Sequence, residues 1–382
     1  MFCYRYRPFN QLSIKELIYD EIYFASGEES NDPYEGKVFF EFEQDKDSWM
    51  RLLSSAWNGI PAAVIKEYID IFSEYLTNIS PITFDEVQND SFIECINKFH
   101  LSSQGEACFI LVKLLKDYVA MYKPSKRYFV SFTKENDNYL MWSHYANKHR
   151  GYCLIFNTQD GYIFQSPSNE KTSIKRDSVV AACGNKFKMR EVVYGLSGTT
   201  NNAFLCFPKS VSGKVFENEE ERLEYCKKLE QPYLEKAKCW EYEKETRLIL
   251  PALSPWLCSE AEFSNYERLF HYNSTQLVGL ILGARLSEDE KKEIKKIIRH
   301  KVNNWWTKID KKEQPSIPGF VLFEAALSEK SRNVEINPIE IYIGDDVVLK
   351  KDCKGFDEVY EKWKDGKCLK ISETLIQETI VK

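Results

Sequence analysis

Four charged residues alternate along one short segment of the chain. In KCWEYEKETRLILPA, residues 238–252, charged side chains stand at every second position from 241 to 247, namely Glu241, Glu243, Glu245 and Arg247. Alternation predicts a β-strand that carries these side chains on one face, where the like charges repel each other. Carboxylates at the end of a core strand are candidates for a raised pKa and for stabilising a cation. The alternative is a solvated strand face, with a Glu245–Arg247 surface pair worth under about 1 kcal/mol.

A second polar segment, SNDPYEG (30–36), directly follows a predicted strand. It contains Asn31, Asp32 and Glu35. Asn, Asp and Pro each favour turns, so one interpretation is a rigid turn. The other is a ligand-contacting loop, because functional residues concentrate in loops at strand ends.

Aromatic residues characterise a third segment, MWSHYANKHRG (141–151). Trp142 and Tyr145 lie on one face of a predicted helix. They either pack in the core or sandwich a flat ring such as a nicotinamide or a base. His144 and His149 are five residues apart, whereas two ligands on one helical face need a spacing of three or four, so we predict no structural zinc site.

The overall composition excludes several classes of protein. The 382 residues are 43% hydrophobic and 29% charged, with a formal net charge of −6. This is the composition of an ordinary globular protein, and its acidity disfavours binding of duplex nucleic acid over a broad surface. The familiar phosphate-binding loops and the nucleophile elbow G-x-S-x-G are absent from the sequence.

Cysteine usage and hydropathy predict where the protein resides. Eleven cysteines are scattered without any C-x-x-C pair, which is typical of reduced thiols. The N-terminal MFCYRYRPFN lacks the apolar core of a signal peptide, and no run of about 18 apolar residues occurs. We therefore expect a cytoplasmic protein with no membrane partner.

Local patterns predict the elements that must position these residues. Apolar residues at helical spacing over 45–122 predict a helical insertion beside a sheet, and 160–190 lacks periodicity and predicts a loop. Ser287 with Glu290 predicts a capping box that starts a late helix. Strand-like runs occur at FCYRYR, KRYFVSFTK, GYCLIFN, EVVYG, LVGLILGARL, GFVLFEAAL and IEIYIGDDVVLK. We predict one elaborated α+β domain over 1–305 and an extension over 306–382 whose strands pack on it.

Several of these blocks together carry a resemblance to known proteins. YRYRPF, IYFASGEESNDPYEG, VSFTKENDNYLMWSHYANKHRGYCLIF, VVYG, WEYEKETRLIL and LILGARLSEDEKKEI resemble the bacterial family catalogued as domain of unknown function 2971. The most specific motifs are N-D-P-[FY]-E, M-W-x-x-Y-A and W-x-Y-E-x-E-x-R. A fainter similarity is to the mono-ADP-ribosyltransferase fold. It implies a central, mostly antiparallel split β-sheet with flanking helices and the helical insertion.

The fainter similarity also implies roles for individual residues. Members of that fold carry a basic residue on the first strand, a serine on a second and a catalytic glutamate on a late strand. Arg5 or Arg7, Ser131 and Glu245 match these positions. Glu245 would stabilise the oxocarbenium-like transition state, and Glu243 would act as general base toward the acceptor. The full set assigned to dinucleotide binding is Arg5, Arg7, Ser26, Asn31, Asp32, Ser131, Trp142, Tyr145 and Arg247.

The expected function is therefore that of an NAD-consuming enzyme, similar to an ADP-ribosyltransferase or an NAD glycohydrolase. NAD would be the substrate, with a protein or a nucleic acid as possible acceptor, and the type of fold suggests a bacterial toxin or phage-defence effector. One alternative is a metal-dependent nuclease in which Asp32, Glu243 and Glu245 gather a divalent ion. The other is a non-catalytic scaffold or sensor, in which Arg247 pairs with Glu35 or Glu243.

Shape discriminates between these hypotheses. An enzyme requires Arg5 or Arg7, Ser131 and Glu245 to line one open cleft. A scaffold leaves such side chains satisfied by each other, with no cavity between them.

Overall fold

The computed structural model describes most of the chain. The described residues are 1–89, 105–124, 126–176, 179–195, 200–215, 217–221, 224, 230–250, 262–308, 316–317, 319–330, 333–366 and 369–370.

Helices and strands alternate irregularly along the chain, which confirms the predicted mixture of α and β structure. The strands are β1 (Phe2–Arg7), β2 (Glu21–Tyr23), β3 (Ala25–Ser26), β4 (Phe39–Phe42), β5 (Ile82–Thr83), β6 (Tyr128–Thr133), β7 (Tyr152–Asn157), β8 (Tyr162–Phe164), β9 (Ser173–Arg176), β10 (Val179–Ala182), β11 (Lys186–Lys188), β12 (Arg190–Glu191), β13 (Val193–Tyr194), β14 (Thr200–Asn202), β15 (Glu235–Lys236), β16 (Glu245–Leu250), β17 (Leu269–His271), β18 (Leu277–Leu282), β19 (Ser316–Ile317), β20 (Phe320–Leu327), β21 (Val334–Gly344), β22 (Val347–Lys350) and β23 (Leu369–Lys370).

The α-helices lie mainly in three parts of the chain, near the N-terminus, in the predicted insertion and after β18. They are α1 (Gln11–Tyr19), α2 (Lys46–Ala56), α3 (Ala62–Ile79), α4 (Phe84–Gln88), α5 (Gly105–Tyr122), α6 (Tyr139–His144), α7 (Lys209–Ser212), α8 (Glu288–Lys308) and α9 (Phe356–Lys364). Short 3₁₀ helices occupy Gly27–Glu29, Ala203–Cys206, Gln231–Leu234, Lys238–Glu243 and Ser274–Gln276.

Ten of the described strands form one large sheet. Its order is β12-β16-β6-β1-β7-β18-β20-β21-β22, and β3 also pairs with β6. Neighbouring strands are antiparallel except β18 and β20, which are parallel. The sheet is thus mostly antiparallel, as predicted, and the late strands β20, β21 and β22 extend it directly.

The sheet opens between β1 and β6. These two strands share a single paired position, Tyr4 with Thr133. The other edge of β1 pairs with β7 at all six positions. Where β1 leaves β6, the short strand β3 takes up the free edge of β6, with Ala25 opposite Phe129. The result is a gap in the middle of the sheet, next to the C-terminal end of β1.

The large sheet has a hydrophobic core on each face, and β7 shows the arrangement. Tyr152, Leu154 and Phe156 belong to the core covered by α1 and α8. Cys153 and Ile155 point the other way, into the core covered by α6 and α9. Burial on both faces explains why this strand is a continuous apolar run rather than an alternating one.

Helices α2, α3, α4 and α5 lie in the predicted helical region 45–122, of which residues 90–104 are outside the described part of the chain, and they surround a core of their own. Trp49 and Trp57 are fully buried in it, together with Phe72 of α3. Both indoles are satisfied, because Trp49 donates to the Ser80 hydroxyl (3.1 Å) and Trp57 donates to the Leu111 carbonyl (2.8 Å). Strand β4 and the segment 203–212 complete this core, so a later part of the chain also contributes to it.

Two local predictions are wrong and one is confirmed. Residues 238–243 form a 3₁₀ helix, so the strand begins only at Glu245, while 251 and 252 lie outside the described residues. The region 160–190 contains the short pairs β8–β11 and β9–β10 instead of a loop. The Ser287–Glu290 capping box is formed, with the Ser287 amide donating to the Glu290 carboxylate at 2.8 Å.

Among the helices in the described parts of the chain, none combines the length and the apolar character that a bilayer crossing requires.

Candidate functional site

A buried cluster of five charged side chains lies at the edge of the gap in the sheet. Lys236 is at its centre, and its ammonium donates to Glu243 (2.6 Å), Glu35 (3.1 Å) and Glu245 (3.2 Å). Arg247 is the second cation. Each of the five side chains is at most 5% exposed. Three carboxylates face two cations, so one negative charge is left uncompensated when all five groups are ionised.

Arg247 fixes the orientation of two of these carboxylates. Its Nε and Nη2 donate to the two oxygens of Glu245, at 2.8 and 2.9 Å. Nη2 also lies 2.6 Å from Glu35 Oε1, and Nη1 donates to the Tyr233 carbonyl at 2.7 Å. The guanidinium packs on the Phe129 ring, 4.5 Å from its centroid. This planar fork suits a bidentate grip on a carboxylate, and it holds Glu245 in one orientation.

A change of backbone conformation brings Glu243 and Glu245 together. The 3₁₀ helix 238–243 ends at Lys244, which has a left-handed conformation (φ 44°). Strand β16 starts at the next residue. The two glutamates therefore reach Lys236 from a helix end and a strand start, and not from one face of a strand as the alternation predicted.

Glu35 is delivered by the loop that follows β3. Ser26 and Glu29 form a capping box at the start of this loop. Gly27 then lies against the backbone of Glu35, so closely that a Cβ at Gly27 would be 2.0 Å from the Glu35 carbonyl oxygen. The Asp32 carboxylate accepts from the Tyr34 amide (2.9 Å), which closes a turn. These contacts make the loop compact and place the Glu35 side chain in the charged cluster.

A cavity of about 400 Å³ opens beside the cluster. That volume lies in the lower part of the range of about 300–1,000 Å³ for small-molecule sites. Strand β1 lines it with residues 4–7 and strand β6 with residues 129–133, so it occupies the gap between these strands. The remaining lining residues are Tyr23, Ala25, Ser26, Glu29, Ser30, Asn31, Glu35, Met141, His144, Tyr145, Lys236, Glu243 and Glu245.

The environments of Glu243 and Glu245 shift their pKa values in opposite directions. Burial raises the pKa of Glu243, although Lys236 and the Tyr145 hydroxyl oppose the shift. Burial acts in the same direction on Glu245, but Arg247 and Lys236 outweigh it and lower its pKa from 4.5 to about 2. One carboxylate thus stays ionised at all ordinary pH values, while its neighbour takes up a proton more readily.

Tyr145 connects the cluster to the cavity. Its hydroxyl donates to Glu243 Oε1 and accepts from the Asn31 amide at 3.2 Å. Burial and the Glu243 charge raise the pKa of Tyr145 well above its usual range, so it remains a hydrogen-bond donor.

On the other side of the gap, β1 presents two arginines in different states. Arg7 forms an ion pair with Glu16 of α1. The Arg5 guanidinium has no hydrogen-bond or ion-pair partner among the described residues, although Arg5 lines the cavity. Burial and the nearby Arg7 lower the pKa of Arg5 to about 10, so it is still protonated at neutral pH. An unpaired guanidinium at a cavity wall suits an anionic ligand group such as a phosphate.

The register places Arg5 and Arg7 on the face of the sheet opposite to that of Glu245. Tyr4 pairs with Thr133, and Thr133 pairs with Glu245, so these three side chains point to one face. Arg5 and Arg7 point to the other face. Both sets can line one cavity because the strands part between them.

The structure brings together most of the residues predicted from the sequence, though not all. Those that line the cavity are Arg5, Arg7, Ser26, Asn31, Ser131, Tyr145, Glu243 and Glu245. Ser131 is exposed at this wall, and its hydroxyl contributes to the low pKa of Glu245.

Three predicted residues do not line the cavity. Trp142 is fully buried, with its indole donating to the Asn136 carbonyl (2.8 Å) and its ring edge-on to Tyr6. It is a core residue and does not sandwich a flat ring. Asp32 is buried in its turn, and no three His, Cys, Asp or Glu side chains among the described residues are placed to hold a metal ion, so Asp32, Glu243 and Glu245 do not form the metal site of the nuclease alternative. Arg247 is outside the cavity lining and binds the Glu245 carboxylate. It also forms the ion pair with Glu35 that the scaffold hypothesis names.

The sequence interpretation missed the central cation. Lys236 is one of 52 lysines and arginines, and nothing in its local sequence distinguishes it. Tyr194 was also missed, although its hydroxyl accepts from the Glu245 amide at 2.7 Å. His144 was considered only as a metal ligand, yet it lines the cavity. The one available signal was the Trp240–Tyr242 pair beside the acids.

One family model matches a range of the chain that includes part of this site. Residues 141–248 match the family model described as a protein of unknown function (DUF2971). The matched range contains Tyr145, Lys236, Glu243 and Glu245, whereas β1 and the loop carrying Glu35 precede it. Comparison with curated proteins and with solved structures found no match.

Proposed function

We propose that this protein is an enzyme that cleaves the N-glycosidic bond of NAD, in the manner of an ADP-ribosyltransferase or an NAD glycohydrolase. The observation that carries the proposal is the pair Glu243 and Glu245, two buried carboxylates with pKa values shifted apart at the wall of one cavity. Oppositely tuned carboxylates are the arrangement that acid–base chemistry at a glycosidic bond requires.

Glu245 is the electrostatic element of this mechanism. When the bond between ribose C1′ and the nicotinamide nitrogen breaks, its electron pair leaves with nicotinamide and positive charge develops on the ribose. A carboxylate already held in place stabilises that charge without reorganisation. Arg247 and Lys236 keep Glu245 ionised, and the uncompensated negative charge of the cluster favours a cationic ring in the cavity.

Glu243 is the proton-transfer element. With its raised pKa it accepts the proton of the attacking acceptor, a water molecule or a hydroxyl or amine of a macromolecule, as that nucleophile bonds to C1′. Tyr145 holds the orientation of Glu243 through its hydroxyl. Ser131 faces the ribose, and Arg5 binds a phosphate oxygen on the opposite wall. Depletion of NAD in the cell would be the basis of a toxin or phage-defence role.

The test is release of nicotinamide from labelled NAD. We expect release by the parent protein, a loss of at least about 100-fold in Glu243→Gln and a raised KM in Arg5→Gln. Arg5→Gln breaks no existing ion pair among the described residues, so it reports on binding without disturbing the cluster. Glu241→Gln, on the same 3₁₀ helix and half exposed, is the matched control. Equal background release from the parent and all variants would refute the proposal.

A second candidate, a sensor that binds the dinucleotide without turnover, is favoured by one observation. Both oxygens of Glu245 already accept from Arg247 and Lys236, so this carboxylate is fully hydrogen-bonded before any ligand enters. Calorimetric binding of NAD that is weakened by Arg5→Gln, with no nicotinamide released, would favour this candidate over the enzyme.

A further inference from the structure

Three aromatic side chains form a continuous row beside the cavity lining. His144 is exposed at the end of α6, and Tyr242 and Trp240 are partly exposed on the 3₁₀ helix 238–243. The ring centroids of His144 and Tyr242 are 6.4 Å apart, and those of Tyr242 and Trp240 are 6.1 Å apart. We call these three side chains the aromatic ridge.

The ridge is continuous with the cavity. His144 belongs to the cavity lining, and its ring is 6.4 Å from that of Tyr145. At the other end, the Lys236 ammonium lies over the Trp240 ring, 5.0 Å from its centroid. Lys236 also lines the cavity, so both ends of the ridge contact residues of the cavity lining.

The ridge is held in place before any ligand binds. The Asn138 side chain donates to the Tyr242 carbonyl at 2.9 Å and accepts from the Leu140 amide at 3.0 Å, at the start of α6. One side chain thus links the two helices that carry the ridge. Among the described residues, the polar atoms of the three ridge rings have no hydrogen-bond partner. They are available to a ligand with polar ring edges.

We propose that the aromatic ridge binds the second heterocycle of the dinucleotide, the adenine that lies outside the cavity. This inference rests on the proposed function. A cavity of about 400 Å³ is small for a whole dinucleotide, so part of the ligand must lie beyond it. Flat heterocycles bind aromatic side chains by stacking and offer polar edges to neighbouring groups.

The experiment compares three ligands that divide the dinucleotide. NAD spans both regions, nicotinamide mononucleotide reaches only the cavity, and adenosine has no phosphate and reaches only the ridge. The first variant is the double substitution Trp240→Ala with Tyr242→Ala. The second is the single substitution His144→Ala, at an exposed residue. Tyr19→Ala is the matched control, because Tyr19 is 59% exposed and lies outside the cavity lining.

In the double variant we expect NAD affinity to fall at least about tenfold, while the affinity for nicotinamide mononucleotide changes less than about twofold. His144→Ala should weaken NAD binding in the same direction. Adenosine should give ligand-observed NMR saturation transfer with the parent and with Tyr19→Ala, but not with the double variant. Circular dichroism melts verify that each variant is folded.

The outcomes separate the two proposals. If adenosine binds the parent and the double variant abolishes that binding, the proposal that the ridge binds adenine is supported. If, in addition, no nicotinamide compound binds, only the proposed function is refuted. If adenosine does not bind the parent, or if the double variant weakens NAD and nicotinamide mononucleotide equally, the ridge proposal is overturned. Nicotinamide release by a variant with unchanged NAD affinity would also overturn the ridge and leave the enzyme proposal standing.

Discussion

At the scale of single residues, the site depends on the ion pairs that Lys236 and Arg247 form with the three buried glutamates of the cluster. Burying five charged groups is costly, and replacing such networks by apolar residues is often neutral or stabilising. The protein nevertheless keeps the cluster at a cavity wall, where the same charges can act on a ligand. Removal of a single partner is the sensitive test, because it leaves an uncompensated charge.

We expect Glu245→Gln to lower the free energy of unfolding in a pH-dependent way. The folded-state pKa of Glu245 is about 2, against an ordinary 4.5, so its ionisation stabilises the fold fully above pH 4.5. That contribution, roughly 3 kcal/mol, is lost as the pH falls from 4.5 toward 2. Urea titrations at several pH values should show a parent–variant difference that is constant from pH 5 to 7 and narrows below 4.5.

The control for this prediction is Glu241→Gln. The Glu241 side chain is 47% exposed, and its ion pair with Lys238 is long, at 3.8 Å. Its removal should therefore change the free energy of unfolding by less than about 0.5 kcal/mol at every pH. A Glu245→Gln effect of constant size between pH 2 and pH 7 would contradict the assigned pKa.

The pH profile of nicotinamide release tests the role of Glu243. Its pKa in the folded protein is raised above 4.5, and a general base must be ionised to act. Activity should therefore rise with pH through one acidic limb above pH 4.5, while Glu245 stays ionised throughout. The residual activity of Glu243→Gln should lack this limb. An unchanged limb in that variant would assign the titration to another group.

At the scale of elements, the loop between β3 and β4 decides where Glu35 lies. Gly27 has no room for a side chain, because its neighbour at 2.0 Å from the ideal Cβ position is a backbone oxygen, which has no rotamer to change. Gly36 (φ +67°) lies against Gly27 from the other end of the loop. The two glycines let the ends of the loop approach closely.

We expect Gly27→Ala to destabilise the protein and to weaken ligand binding, because the loop must shift and carry Glu35 away from Lys236. The matched control is Gly59→Ala, where φ is +97° and no atom lies within 4 Å of the new Cβ. That control should cost only the backbone strain of about 1–2 kcal/mol. Calorimetric binding and urea unfolding should show both effects in Gly27→Ala and only the smaller stability loss in Gly59→Ala.

At the scale of the whole molecule, the sheet and the helical region have separate hydrophobic cores. Trp57 lies in the core of the helices, and Trp363 lies in the core between the sheet and α9. Each indole donates to a backbone carbonyl, of Leu111 at 2.8 Å and of Val278 at 3.0 Å. The same substitution can therefore be made in either core.

We expect Trp57→Phe and Trp363→Phe to destabilise different parts of the molecule. Each loses one buried hydrogen bond and leaves a cavity, which costs about 1–4 kcal/mol. Amide hydrogen exchange should accelerate mainly in α2 and α3 for Trp57→Phe and mainly in β18 and β20 for Trp363→Phe. NAD binding should survive Trp57→Phe, since the cavity lies in the sheet. Acceleration throughout the chain in both variants would show a single cooperative unit.

Local structure was largely predictable from the sequence because it depends on neighbouring residues. The Ser287–Glu290 box is a contact within one helical turn, and the apolar run of β18 reflects burial on both faces. The charge alternation at 241–247 wrongly predicted a continuous strand, because Lys244 has a left-handed conformation that separates the 3₁₀ helix from β16. A single positive φ is a local exception that charge spacing does not reveal.

By itself, the sequence determined that Glu243, Glu245 and Arg247 are close together and accompanied by aromatic residues. Only the tertiary structure decided that Lys236 and Glu35 join them, that Trp142 belongs to the core, and that a cavity separates β1 from β6. The physical reason is that a buried charge requires partners, and these partners come from segments about 200 residues apart. Their meeting depends on strand order and register, which are properties of the folded chain as a whole.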